Sequence, residues 1–291
     1  MPEYKAPRNK TITLTEEEEK KYLSRCIEVE ETVHKKRDVC ARSQKKGGVE
    51  MYYVYRPYAS YPNFILIAAA VIPAVLLLMY VYKADRLDKE PASLLGVLLL
   101  QGIICTALAA FAERIGAKLL SALFSDDSVP YQLLFYFLVV GLSEEGFKFL
   151  LLKRRTWLSP HFNCQFDGVV YAVFVSLGFA LWENIDYVVM YGFGTALLRA
   201  VTAIPGHACF GVFMGAWYGL AKSHQQHGHA KYAKICLRLS LLCPIALHGV
   251  YDLIASSDRN GSLAVFAAFI AVMFLGAYFT VRQLSRRDRF I

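Results

Sequence analysis

The sequence predicts an all-α protein, a polytopic membrane bundle of about seven transmembrane helices around a polar cavity. Three observations carry that prediction. The 291 residues are 56% hydrophobic and only 19% charged, against about 45–50% apolar in an ordinary soluble chain. Seven apolar runs follow a charged tail, and a run of about 20 residues crosses a ~30 Å hydrocarbon core as a helix. The basic residues of this +8 chain gather at the ends of those runs, which is the signature of membrane topology rather than of nucleic-acid binding. Strands are typically only ~5–6 residues long, so a soluble β fold does not fit the runs. Disorder, collagen and a small disulfide scaffold fail on composition.

The chain divides into a charged, partly helical tail (1–62), a membrane domain (63–285) and a short basic end (286–291). In the tail, Thr15 with Glu18 is a capping-box pattern. Tyr22, Cys26, Val29 and Val33 recur at helical spacing, predicting one amphipathic helix. Tyr52, Tyr53, Tyr55, Tyr58 and Tyr61 form an interfacial aromatic belt before the first span. The uncharged runs are 64–82, 92–112 and 261–281. Four others, 130–152, 168–191, 196–221 and 237–255, carry ionisable residues inside apolar sequence. Lys83, Arg86 and Lys89, then Lys153, Arg154 and Arg155, then Lys222, Lys231 and Lys234, and finally Arg282, Arg286, Arg287 and Arg289 mark one side. Only Arg114, Lys118 and Arg259 mark the other. Positive loops stay inside, so the C-terminus is expected in the cytoplasm and the N-terminus outside. Of seven cysteines, Cys105, Cys209 and Cys243 read as small apolar packing residues. Cys26 and Cys40 fit either a disulfide or free thiols.

Charges inside membrane helices cost roughly 2.5–3.5 kcal/mol at the bilayer centre and need a partner, a wet cavity or a function. The third run holds Glu144-Glu145-Gly146-Phe147-Lys148, where both glutamates can reach Lys148 on one helical face. A plain ion pair explains Lys148 and one glutamate but not two adjacent carboxylates, whose mutual repulsion favours holding a proton. The fourth run holds Glu183-Asn184, with Asp186 nearer the interface. The fifth holds Pro205-Gly206-His207, a predicted helix break that turns the histidine toward a cavity. Gly211, Gly215 and Gly219 follow at the spacing of close helix packing. The sixth holds His248 and Asp252 four residues apart, so the carboxylate can orient the ring. The inventory suits a water-activating carboxylate with histidine partners, or a His/Glu metal site. It lacks an HExxH zinc motif and a GxSxG elbow.

Glu144-Glu145 with Lys148, Phe179 with Glu183-Asn184, and His248 with Asp252 resemble the EExxK, FxxxE and HxxxD motifs of the PrsW family. The loop from Asp85 to Glu90-Pro91, the segment from Phe166 to Tyr171, and Arg199 through His207 extend the resemblance across about 64–285. It implies a membrane-embedded endopeptidase of the cell membrane, related to the CAAX prenyl proteases. The implied substrate is a membrane-anchored protein, with site-1 cleavage of an anti-sigma factor as the best-known role, and nucleic acid is not expected as a partner. It implies Glu144 as general base, with Glu145, Glu183, His207, His248 and Asp252 completing the catalytic set and Lys148 and Asn184 supporting it. Glu183 stands where the prenyl proteases carry a histidine. No cofactor is predicted firmly. A divalent metal such as zinc would fall to His207, His248 and Glu183, and the resemblance leaves metal and pure glutamate mechanisms open. The competing reading is a proton- or metal-coupled transporter using the same buried Glu and His residues, with His224, His227 and His229 as a metal-attracting loop. Transporters often show internal repeats, and none is evident here.

Overall fold

The computed structural model describes residues 45–46, 49–50, 64–257 and 261–291. The tail stripe, its cysteines and the tyrosine belt lie outside these residues. Within the tail, β1 (Lys45–Lys46) and β2 (Val49–Glu50) pair antiparallel, Lys45 opposite Glu50. These strands lie beyond the stripe Tyr22–Val33 on which the tail helix is expected.

The membrane unit is all α. Its helices are α1 (Phe64–Ala84), α2 (Ala92–Ser121), α3 (Val129–Leu134), a π-helical segment (Phe135–Gly141), α4 (Leu142–Thr156), α5 (Asp167–Tyr191), α6 (Phe193–Val201), α7 (Ala203–Gln226), α8 (Ala230–Ala255) and α9 (Ser262–Arg286). Among the described residues, six spans are long and apolar enough to cross a membrane, with α6 and α7 counted as one broken span. The seventh run expected to cross, 130–152, is not among these six, because it is divided into α3, the π segment and α4 and carries charges in the last of them. Two expectations are corrected. Helix α2 continues to Ser121, so Arg114 and Lys118 lie on a helix rather than in a loop. The break in the fifth run falls at Thr202. Pro205 sits in the first turn of α7, where its missing N–H costs little.

Helix α5 is the hub. Its residues from Asp167 to Ser176 are nearly all buried, and it packs on α1, α2 and α7, while α8 closes against α7 and the π segment. Large apolar side chains on α1, α2 and α9, such as Leu76, Phe111 and Val272, face outward as a lipid-facing belt. Small residues bring the central backbones together. A Cβ on Gly178 would collide with the Leu99 carbonyl oxygen, and one on Gly215 with that of Gly168. Backbone cannot yield as a flexible side chain does, so Gly178→Ala is expected to cost about 1–3 kcal/mol. A lower melting temperature in detergent is the readout, and an unchanged one would contradict this packing.

Three segments meet at one end of the bundle. Asn163 Nδ2 donates to Asp88 Oδ2 at 2.9 Å, Asp288 Oδ1 accepts from Phe166 N, and Ile291 N donates to Asn163 O. Ser285 hydroxyl reaches the Ala84 carbonyl. The loop after α1, the loop after α4 and the C-terminus therefore share a face, with a basic cluster in or directly beside each. Asp85 and Glu90 are buried there, with both Asp85 carboxylate oxygens and Glu90 Oε2 unpartnered among the described residues. Lys89 turns away from them to cap the Tyr82 and Asp85 carbonyls. Burial pushes Asp85 up to about 6, with Lys89 opposing and Asp288 and Asp88 adding to the rise. Burial likewise pushes Glu90 up to about 7 against the Tyr171 hydroxyl, with Asp85 and Asp88 reinforcing the rise. A carboxyl whose pKa is higher folded than unfolded binds protons more tightly in the folded state. That stabilisation is complete below about pH 4 and is lost as pH rises through 6 and 7. The melting temperature is expected to be higher at pH 5 than at pH 8, and Glu90→Gln to flatten the slope.

Candidate active site

The π segment ends directly before Leu142, and the first turn of α4 carries Glu144 and Glu145. π-Bulges concentrate at functional sites. Lys148 follows one turn later and is fully buried. Its Nζ lies 2.7 Å from Glu145 Oε1 and 3.2 Å from Glu144 Oε2. The same ammonium is 3.3 Å from His207 Nδ1 and 3.9 Å from the centre of the Phe179 ring. The helix register supplies the two glutamates, and the fold supplies the histidine from α7.

From this cation an alternating series of acids and bases runs both ways. On one side His207 Nε2 lies 3.0 Å from Glu183 Oε2, which also accepts from Arg199 Nη2 at 2.8 Å. Lys148 has only protons to offer and Glu183, written as a carboxylate, only lone pairs, so His207 carries its proton on Nε2. Arg199 Nε donates to Asn184 Oδ1 at 3.0 Å, its guanidinium covers the Tyr187 ring at 3.9 Å, and Asn184 Nδ2 ties α5 to Ala70 O. On the other side His248 Nδ1 is 3.0 Å from Glu145 Oε1 and 3.9 Å from Glu144 Oε2. Its Nε2 is 3.4 Å from Asp252 Oδ2, and its ring stacks on Phe210 at 4.8 Å. Both ring nitrogens of His248 thus face carboxylates: Asp252 meets one, as the four-residue spacing predicts, and Glu145 meets the other. Pro244, one turn earlier in α8, removes a helix donor just before the histidine.

These side chains border a cavity of about 590 Å³. Glu144, Glu183, His207, His248 and Asp252 line it, together with Glu113, Tyr136, Arg199 and Tyr251. Glu145, Lys148 and Asn184 stand behind the wall. Glu144 is the glutamate of the pair that reaches the cavity, and its Oε1 has no hydrogen bond to the described residues, while Oε2 is held by Lys148. Lining residues sit late in α2, α5 and α8 and early in α7 and α9. The cavity therefore lies toward the end of the bundle opposite the basic face. Glu113 and Arg199 escaped the sequence-based assignment of roles. Glu113 follows directly on the uncharged run that defined the second span. Arg199, a charge inside an apolar run, satisfied the same criterion that singled out the glutamates.

The profile described as PrsW family intramembrane metalloprotease matches residues 90–279. This chain belongs to the PrsW family. Protease PrsW of Geobacillus kaustophilus is 35% identical over 199 residues, covering 68% of this chain and 83% of the relative. Protease PrsW of Bacillus subtilis is 33% identical over 203 residues, covering 68% and 85%. Protease PrsW of Halalkalibacterium halodurans is 33% identical over 232 residues, covering 78% and 100%. No solved structure matches the chain. Membership makes this PrsW-family chain a peptidase with multiple membrane spans.

The family description raises the question of a metal. Glu144, Glu145 and His207 each offer a ligand atom within 4.8 Å of the others, an arrangement right in type and spacing for a divalent ion. The set differs from His207, His248 and Glu183, which the sequence put forward. Lys148 Nζ, however, touches one donor atom on each of the same three residues. A dication there would displace or repel a buried ammonium. The residues as arranged do not fit a metal at this point, because the lysine already supplies the positive charge.

Proposed function

We propose that this chain is an endopeptidase that hydrolyses a membrane-anchored protein with a water activated by Glu144. The observation that carries the reading is the free Oε1 of Glu144 at the cavity wall, with Oε2 fixed by Lys148. Bulk lipid excludes the water that hydrolysis needs, and the cavity admits it. Glu144 takes the proton as water attacks the scissile carbonyl, and returns it to the leaving amine. A positioned base contributes typically 10²–10⁴-fold. Glu145 and Lys148 hold the base in place. His248, released from Asp252, or His207 Nε2–H, released from Glu183, donates to the developing oxyanion. Asp252 and Glu183 orient those rings.

The cavity's place opposite the basic face supports cleavage on the extracytoplasmic side, with the C-terminus inside. That geometry accords with a first, site-1 cut, of which an anti-sigma factor is the candidate substrate. The domain that carries the activity is 63–285, with 1–62 as a separate tail and 286–291 as its basic end. Glu145→Gln and His248→Ala are each expected to fold and to process substrate at least about tenfold more slowly. Unimpaired processing by both would sink the mechanism. Because Lys148 fills the donor set, chelator treatment is expected to leave cleavage intact. Loss of cleavage with chelator, restored by zinc, would favour the metal reading, whose supporting observation is the close approach of Glu144, Glu145 and His207.

A further inference from the structure

The carboxylates that line the cavity are paired among the described residues, with one exception. Glu144 meets Lys148, Glu183 meets Arg199 and His207, and Asp252 meets His248. Glu113 lines the same cavity. Among the described residues it has no ion pair and no hydrogen bond, and no lysine or arginine other than Arg199 lines the wall. Arg199 is already committed to Glu183, Asn184 and the Tyr187 ring. Glu113 therefore faces the cavity without a partner among the described residues, and the cavity gives it access to one from another chain.

Its depth indicates which part of a substrate it meets. Glu113 lies 21 residues after Ala92, the start of α2 at the basic face, so it stands about 30 Å along the helix at 1.5 Å per residue. That is the thickness of the hydrocarbon core, which places the carboxylate at the interface opposite the basic loops. A substrate span entering the cavity presents its outer flank at that level. We propose that Glu113 is a specificity residue that binds a lysine or arginine side chain on the outer flank of the substrate's membrane segment. The inference rests on the endopeptidase reading above. Such a residue discriminates well, because membrane proteins concentrate Lys and Arg on the cytoplasmic side of their spans and leave few on the outer flank. The long basic side chain also suits the geometry, since its stem lies along apolar wall such as Leu198 and Phe266 while its head reaches the carboxylate.

The test uses the full chain in cells with a single-span reporter whose six outer-flank positions are randomised. The cut reporters are sequenced for wild type, Glu113→Gln, Glu113→Lys and Glu144→Gln. Wild type is expected to enrich Lys or Arg about fivefold or more at one flank position. Glu113→Gln should cut but lose that enrichment, and Glu113→Lys should shift it toward Asp or Glu. Glu144→Gln should cut nothing. Cleavage by wild type without basic enrichment, or the same enrichment in Glu113→Gln, overturns the specificity role and leaves the protease reading standing. A folded Glu113→Gln that cuts no reporter also overturns it, placing Glu113 in the chemistry. Cutting by Glu144→Gln equal to wild type, or no cutting by wild type, instead strikes the endopeptidase reading, and the inference falls with it.

Discussion

Glu144→Gln is expected to lower peptide hydrolysis by about 10²–10⁴-fold, the usual worth of a positioned general base, while leaving the fold intact. The amide keeps the size of the carboxylate and can still accept from Lys148, which retains its 2.7 Å partner Glu145. The variant thus loses the proton acceptor and little else. Initial rates on a reporter substrate, with melting temperature measured on the same preparation, separate the two effects. A variant that folds and cuts at the wild-type rate would remove Glu144 from the chemistry.

Lys148→Met should act on both fold and rate. Lys148 is fully buried and donates to two glutamates and toward His207. Removing one partner from a buried ionic group typically costs 3–5 kcal/mol, because the remaining charge stays buried without compensation. The single variant is expected to melt far below wild type or fail to accumulate. The double variant Glu145→Gln, Lys148→Met removes one charge of each sign and should recover much of the stability. It should not recover cleavage, because Oε2 of Glu144 then has no cation to fix it. A single variant as stable as wild type would show that the ammonium is not the centre of this network.

The legibility of the site followed the cost of burying charge. Glu144, Glu145, Glu183, His207, His248 and Asp252 stand out because ionisable residues inside apolar runs need a reason, and all but Glu145 line one cavity. Spacing could show that Lys148 reaches both glutamates. It could not show that Lys148 also meets His207, 59 residues away, since that depends on how α4 and α7 pack. Counting uncharged residues ended the second span at Ala112, although α2 tolerates Glu113 and Arg114 near its outer end. The π segment Phe135–Gly141 carries no compositional cue. Sequence places the helix break at Pro205, the stronger breaker, yet proline within a first turn is permitted and the break falls at Thr202. The all-α membrane class was plain from run length, whereas the breaks that shape the cavity depend on packing.

Cleavage of a membrane-anchored protein through Glu144 is the proposal on which the other expectations rest. The most direct test compares new N-termini of membrane proteins in cells expressing wild type or Glu144→Gln at equal level. At least one membrane protein is expected to be cut near its outer flank only with wild type, and retained intact on pull-down with the glutamine variant. Identical N-termini in both, under conditions where the protein is folded and its inducing signal is present, would contradict the protease mechanism and favour transport through the same buried Glu and His residues.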